Sequence, residues 1–180
     1  MFTLPNLKFL DLSHNLIGKE SCLSEALGQC TTIVELHLAG NQMFTLPESL
    51  GDLVNLEILN IKDNKLQALP HRMGLLDKLF KLNLDGNQLQ TIPAVLGNLR
   101  LLKDLSIASN RLSAVENDCL VGLTNLVMLD LHQNQFREFS AVPRAEKLDT
   151  ISLGYNQLTT LSNLSNAVNL TVLDLHTNKL

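Results

Sequence analysis

Apolar and polar residues alternate in a short pattern that recurs along the whole chain. In one copy, the apolar residues Leu59 and Ile61 flank the polar residue Asn60. Alternation of this kind predicts a short β-strand with one buried face. Asn64 and an apolar residue two positions later then complete the pattern Leu-x-x-Leu-x-Leu-x-x-Asn-x-Leu.

This pattern occurs eight times, and successive copies are 22 to 26 residues apart. Each copy is too small to bury its own leucines, but copies that stack with their strands in parallel bury one continuous core. We therefore expect residues 1–180 to form a single array of eight repeats. The copies begin at Leu7, Ile33, Leu56, Leu79, Leu102, Leu126, Leu148 and Leu170.

The asparagine at the ninth position of each copy is assigned a structural role. After the strand the chain must turn inward, which leaves backbone N–H and C=O groups without strand partners. The side-chain amide of asparagine offers two donors and an acceptor to such groups. We expect a ladder of asparagines between successive copies, formed by Asn15, Asn41, Asn64, Asn87, Asn110, Asn134, Asn156 and Asn178.

The consensus and its spacing resemble the leucine-rich repeat family over essentially the whole chain. In the middle copies the arm that returns to the next strand reads Leu-Pro-Glu-Ser-Leu-Gly-Asp-Leu at residues 46–53, and residues 69–76 and 92–99 match it. This arm is similar to that of the intracellular, Ras-scaffold-type subclass. The resemblance implies an α/β solenoid shaped like a curved horseshoe, with a parallel β-sheet on the concave face and short helical or 3-10 turns on the convex face.

The outer copies depart from this arm. Residues 21–25, Ser-Cys-Leu-Ser-Glu, predict a capped α-helix in the longer first arm. Residues 139–145 lack the Leu-Pro start and are closer to a 22-residue repeat type. No capping unit covers either end of the array, so we expect the sequence to be a fragment of a longer protein.

Composition narrows the range of functions. The net charge of −4 does not indicate binding to nucleic acid, and no apolar stretch approaches the ~20 residues of a membrane helix. The three cysteines do not form a secreted disulfide pattern. Cys30 aligns with the core residue Leu53, and Cys119 precedes a core residue. We expect a cytoplasmic protein, while glycosylation sequons at Asn163 and Asn169 keep an extracellular location open.

The strand side chains that do not point into the core occupy the third, fifth and seventh positions and point to the concave face. This face is mildly acidic, with a positive spot in copies three and four, and its exposed apolar residues are candidate anchors. The predicted partner-binding residues are Phe9, Asp11, Glu35, His37, Ile58, Asn60, Lys62, Lys81, Asn83, Asp85, Asp104, Met128, Asp130, His132, Tyr155, Asp174 and His176.

Two Asp–His pairs are candidate metal ligands. Asp130 with His132, and Asp174 with His176, each place a carboxylate and an imidazole on one strand face. They belong to copies six and eight, so two strand spacings separate them, and we expect no metal site. No nucleophile or oxyanion-binding group converges there, and no phosphate-binding loop occurs, so we expect neither catalytic residues nor a cofactor.

The sequence therefore favours a non-enzymatic protein-interaction module, a signalling scaffold that binds a protein partner of unknown identity on its concave face. We expect no binding to nucleic acid and no insertion into a membrane. Two alternatives stay open. The chain could be part of the ligand-binding ectodomain of an extracellular receptor, or the recognition domain of a larger enzyme such as a kinase, GTPase or ubiquitin ligase.

Overall fold

The computed structural model describes residues 4–18, 23–115, 119–140, 142–162 and 164–180. The strands are β1 (Phe9–Asp11), β2 (Glu35–His37), β3 (Ile58–Asn60), β4 (Lys81–Asn83), β5 (Asp104–Ser106), β6 (Met128–Asp130), β7 (Glu138–Phe139), β8 (Thr150–Ser152), β9 (Thr160–Leu161) and β10 (Val172–Asp174). Eight of them form one parallel sheet in the order β1-β2-β3-β4-β5-β6-β8-β10, whereas β7 and β9 pair separately. The predicted parallel sheet is confirmed.

Equivalent positions of successive copies face each other across the sheet. Leu36 pairs with Leu59, and Leu59 pairs with Leu82. These side chains, and those two residues further along each copy, are buried in a core that consists mainly of leucine. Because side chains alternate along a strand, burial of this face leaves the opposite face of the sheet to solvent.

The arms opposite the sheet turn through 3-10 helices, as expected for the middle copies. They are η1 (Glu25–Gln29), η2 (Glu48–Asp52), η3 (His71–Leu75), η4 (Ala94–Asn98) and η5 (Leu164–Asn166). Arms without the Leu-Pro start follow a different path in copies six and seven, where β7 and β9 pair in parallel. There the rings of Phe136 and Phe139 pack edge to face, 6.0 Å apart, in the core.

The α-helix predicted in the first arm is wrong. Ser24 does cap a helical turn, because its side chain accepts a hydrogen bond from the backbone of Ala26. The turn is nevertheless a 3-10 helix of five residues. Gly28 packs so closely that an added Cβ would lie 2.8 Å from Ser49 of the next arm, and the tighter 3-10 helix suits this spacing. Residues 21 and 22 of the prediction lie outside the described residues.

Glutamates link successive arms. The prolines that precede the middle turns supply no side-chain cap. Instead, Glu25 accepts a hydrogen bond of 3.0 Å from the backbone of Ser49. Glu48 accepts bonds of 3.1 Å and 2.9 Å from the backbones of His71 and Arg72. Each carboxylate therefore satisfies N–H groups at the start of the following turn, which is the role usually taken by an N-cap side chain.

The ninth-position asparagines join neighbouring copies. The Oδ1 atom of Asn87 accepts a 3.0 Å hydrogen bond from the backbone of Leu66, and its Nδ2 group donates to the carbonyls of Ile61 and Leu84. Six further asparagines make the same three bonds: Asn41, Asn64, Asn110, Asn134, Asn156 and Asn178. Asn15 differs, since its exposed side chain donates only to carbonyls of its own copy.

A left-handed residue precedes each of the eight ninth-position asparagines. These eighth-position residues, with φ between 53° and 66°, are His14, Gly40, Asp63, Gly86, Ser109, Gln133, Tyr155 and Thr177. A side chain in this conformation costs about 1–2 kcal/mol, and six of the eight residues are not glycine. The turn places the following asparagine against the neighbouring copy, so the ladder hydrogen bonds offset the local strain.

Candidate partner-binding face

The third, fifth and seventh positions of the eight copies form one surface on the outer side of the sheet, which we call the sheet face. In β3, for example, the central Leu59 is buried while Ile58 and Asn60 on either side are partly exposed. All but one of the predicted partner-binding residues belong to the sheet face. Tyr155 lies at an eighth position, where its ring is 55% exposed and packs edge-on against His176 at 4.6 Å.

The predicted residues lie in successive copies of one continuous sheet, and we divide them into three groups by copy. Copies one and two contribute Phe9, Asp11, Glu35 and His37. Copies three to five contribute Ile58, Asn60, Lys62, Lys81, Asn83, Asp85 and Asp104. Copies six to eight contribute Met128, Asp130, His132, Tyr155, Asp174 and His176. Their part in binding stays a prediction, and the contacts within each group show what each side chain can offer to a partner.

An aromatic cluster lies in the first group. The rings of Phe9 and His37 are 5.3 Å apart, and His37 Nε2 lies 3.6 Å from a carboxylate oxygen of Glu35. Phe9 is 53% exposed despite this contact. An apolar ring held by a neighbour but open to solvent has the properties of an interface anchor.

The fifth-position side chains also have a structural role that sequence reasoning missed. Their Oδ1 atoms accept hydrogen bonds from the backbone N–H of the seventh position in the same copy. The pairs are Asp11–Ser13, Asn60–Lys62, Asn83–Asp85, Asp130–His132 and Asp174–His176, at 2.8 to 3.1 Å. The recurrence of Asp and Asn at this position was the available signal, because both residues can satisfy a backbone donor two residues further on.

Asp85 connects the fourth and fifth copies. Its Oδ1 atom accepts hydrogen bonds from the Ser106 hydroxyl at 2.5 Å and from the backbone of Ala108 at 2.8 Å. Asp85 therefore supplies to copy five the backbone cap that a fifth-position Asp or Asn supplies in copies one, three, four, six and eight. Its other carboxylate oxygen makes no hydrogen bond with a described residue, so Asp85 can still act as an acceptor toward a partner.

In each of the two Asp–His pairs, the histidine ring contacts the aspartate of its own copy. The Nδ1 atom of His132 lies 2.8 Å from Asp130 Oδ1, and that of His176 lies 2.6 Å from Asp174 Oδ1. The same oxygens accept the backbone bonds described above, so one oxygen of each carboxylate is already bonded within its own copy. Among the described residues, no group of three or more His, Cys, Asp or Glu could hold a metal ion.

Replacing Asp174 by asparagine is expected to make folding less sensitive to acid. Hydrogen bonds from the backbone and then the ring of His176 lower the Asp174 pKa below its ordinary value of 3.8. A lowered pKa stabilises the folded state at pH values above the pKa of the same carboxyl in the unfolded chain. This contribution is lost as the pH falls through the pKa in the folded state. Melting curves from about pH 5 to pH 2 should show a steeper decline for wild type, and parallel declines would contradict the prediction.

One glycosylation sequon coincides with a structural asparagine. The Asn169 amide donates a 2.7 Å hydrogen bond to the carbonyl of Glu146 in the preceding copy. Asn55 and Asn125 make the same kind of bond one residue before their own copies begin. The repeat therefore explains Asn169 without a modification, and Asn163 lies outside the described residues. No helix in the described ranges is long and apolar enough to cross a membrane.

Comparison with known proteins identifies relatives of this architecture. The family profile of leucine-rich repeat regions matches residues 2–179. Among curated protein sequences, none matches the chain at a significant level.

Several solved structures are similar to the chain. A leucine-rich repeat protein of Leptospira interrogans is 28% identical, with a TM-score of 0.84, over 98% of this chain and 52% of that one. The plant peptide hormone receptor RGFR1, solved in complex with RGF2, is 29% identical, with a TM-score of 0.76, over 96% of this chain and 28% of the receptor. The functional domain of InlJ from Listeria monocytogenes is 27% identical, with a TM-score of 0.78, over 96% of this chain and 35% of that one. The chain therefore spans about half or less of these proteins.

Proposed function

Because the chain belongs to the leucine-rich repeat family, we propose that it binds a protein partner through the sheet face. The observation that carries this proposal is the continuity of the sheet face. Eight strands pair in register, so their outward side chains form one continuous surface of apolar, acidic and basic groups. Extended surfaces of this kind are what solenoids offer to other proteins.

The proposed setting is a signalling scaffold in the cytoplasm. Two features support it: the Leu-Pro arms of the middle copies resemble the intracellular subclass, and Cys30 packs against the leucine core without a disulfide. A receptor ectodomain is the second candidate, since RGFR1, which was solved in complex with RGF2, is similar to this chain. Detection of the native protein in the cytosolic fraction would support the first setting, and detection in the medium or on the cell surface would support the second.

Changing two apolar residues of the sheet face is expected to lower the affinity for the partner. Ile58 and Met128 are partly exposed in β3 and β6. The double variant Ile58→Thr/Met128→Thr removes apolar contact area from the face, and threonine retains a high strand propensity. Quantitative affinity capture from cell extract, followed by binding measurements with the purified partner, should show at least about a tenfold loss of affinity.

A matched variant on the arm side controls for nonspecific effects. Val54 and Leu75 are each 53% exposed and belong to the arms. Val54→Thr/Leu75→Thr should bind the partner as tightly as wild type does. Unchanged binding by the sheet-face variant, or equal losses in both variants, would argue against the sheet face as the binding surface.

A further inference from the structure

The hydrogen-bonding character of the sheet face changes in copies three and four. The fifth-position caps in the outer copies are the carboxylates of Asp11, Asp130 and Asp174, whereas copies three and four use the amides of Asn60 and Asn83. Both residue types supply the acceptor that the backbone requires. They differ in the second polar atom, which is an acceptor oxygen in Asp and a donor NH2 group in Asn.

The backbone caps determine how the two amides are oriented. The Lys62 N–H donates to Asn60 Oδ1 at 3.1 Å, and the Asp85 N–H donates to Asn83 Oδ1 at 2.9 Å. Since only the oxygen can accept these bonds, each NH2 group is directed away from the capped N–H. Neither NH2 group donates a hydrogen bond within the described part of the chain, so both are available to a ligand.

Positive charge and an apolar contact lie beside these amides. Lys62 and Lys81 are exposed, and neither forms an ion pair with a described residue. Ile58 lies next to Lys81 in the sheet register. Lys81 and Ile58, but not Lys62, line a depression of about 320 Å³, which is large enough for one or two side chains of a partner. Its lining residues are Glu35, His37, Ile58, Leu59, Asn60, Lys81 and Asn83.

We infer that copies three and four bind the carboxylate of an acidic side chain on the partner, with an adjacent apolar residue packed against Ile58. The inference rests on the proposed function, because it names what the sheet face recognises. Hydrogen bonds from amides and an ammonium group to a carboxylate are charge-assisted and therefore strong.

Acidic neighbours add specificity to this site. Glu35 lines the depression on the copy-two side, Asp104 lies on the copy-five side, and Asp85 follows Asn83 in copy four. A second acidic residue on the partner would meet like charges at either side, which disfavours uniformly acidic segments. The site therefore selects a segment with a single Asp or Glu beside an aliphatic or aromatic residue.

The test replaces the NH2 donors of Asn60 and Asn83 by acceptor oxygens and keeps the hydrogen bonds from the backbone. In the variant Asn60→Asp/Asn83→Asp, each side chain keeps its shape and its Oδ1 acceptor, but the second polar atom becomes an acceptor. The melting temperature should stay close to that of wild type, because the structural role is conserved. The control variant Gln29→Glu/Asn98→Asp adds the same two negative charges to exposed residues of the arms, away from the sheet face.

The probes are short peptides selected from a displayed random library against the folded protein and then synthesised. We expect peptides whose binding depends on Ile58 to contain Asp or Glu beside an apolar residue. Their affinity for Asn60→Asp/Asn83→Asp should fall at least about tenfold, and the control variant should bind as wild type does. Amidation of the acidic residue in the peptide should cause a similar loss, with little further loss when both changes are combined.

The possible failures are distinguishable. Peptides that bind the sheet face without an acidic residue, or that bind the Asn60→Asp/Asn83→Asp variant unchanged, would overturn the carboxylate site and leave the proposed function intact. Peptides that lose affinity for Val54→Thr/Leu75→Thr but not for Ile58→Thr/Met128→Thr would show binding on the arm side. That outcome would overturn both proposals.

Discussion

Replacing Asn87 by alanine is expected to lower the free energy of unfolding by about 1–3 kcal/mol. The side chain is 6% exposed and holds two copies together through the backbones of Leu66 and Ile61. Alanine would leave the N–H of Leu66 buried without a partner and would remove one of the two side-chain hydrogen bonds to the Ile61 carbonyl, to which Asn64 also donates. An unpaired buried polar group costs about 1–3 kcal/mol. Chemical denaturation monitored by circular dichroism would measure the loss.

Asn15 provides the matched control for this prediction. It occupies the same position in the first copy, but its exposed amide donates only to the carbonyls of Leu12 and Ser13 in its own copy. Asn15→Ala should therefore cost less than about 1 kcal/mol. Equal losses in the two variants would mean that the hydrogen bonds between copies are not what makes the ladder stabilising.

Replacing Gly51 by alanine is expected to destabilise the protein by about 3 kcal/mol. An added Cβ would overlap the carbonyl oxygen of Arg72 and lie 2.6 Å from its carbonyl carbon. The obstacle is backbone, so two successive arms would have to move apart. The separation would disturb the neighbouring core leucines, and thermal unfolding followed by calorimetry would measure the effect.

Gly74 occupies the equivalent position in the next copy and is the control. A Cβ at Gly74 would meet the Asn98 amide nitrogen at 2.9 Å and a methyl group of Val95 at 3.1 Å. Both contacts are with side chains that can rotate away, so Gly74→Ala should cost less than about 1 kcal/mol. A Gly74→Ala loss as large as that of Gly51→Ala would contradict the explanation by backbone contact.

The strands and the sheet-face positions could be predicted because they follow from local periodicity. Alternation around Leu59 defines which side chains are buried, and the even spacing of the copies places Leu59 beside its equivalents in parallel strands. The same periodicity located the asparagines that bind neighbouring copies. The first arm was mispredicted because a capping signal at Ser24 is common to α-helices and 3-10 helices, and close packing of Gly28 decides between them.

The hydrogen-bond partners on the sheet face could not be predicted from periodicity. The repeat pattern predicts only that Asp85 is a polar side chain on the surface. In the structure it accepts a hydrogen bond from the backbone of Ala108 in the next copy. The repeat register predicts Asn60 and Asn83 as partner-binding residues, but only the bonds to Lys62 and Asp85 reveal which way their amides face. The carboxylate site therefore depends on an orientation that no spacing rule contains.

The sequence by itself determined the family, the parallel sheet and the positions that make up the sheet face. These features depend on the spacing of leucines and asparagines within one copy, which local pattern fully describes. Only the tertiary structure decided which polar atoms on that surface are already occupied, and which of two identical motif glycines tolerates a methyl group. Those properties depend on the atoms of the adjacent copy, because Gly51 lies against backbone and Gly74 lies against side chains.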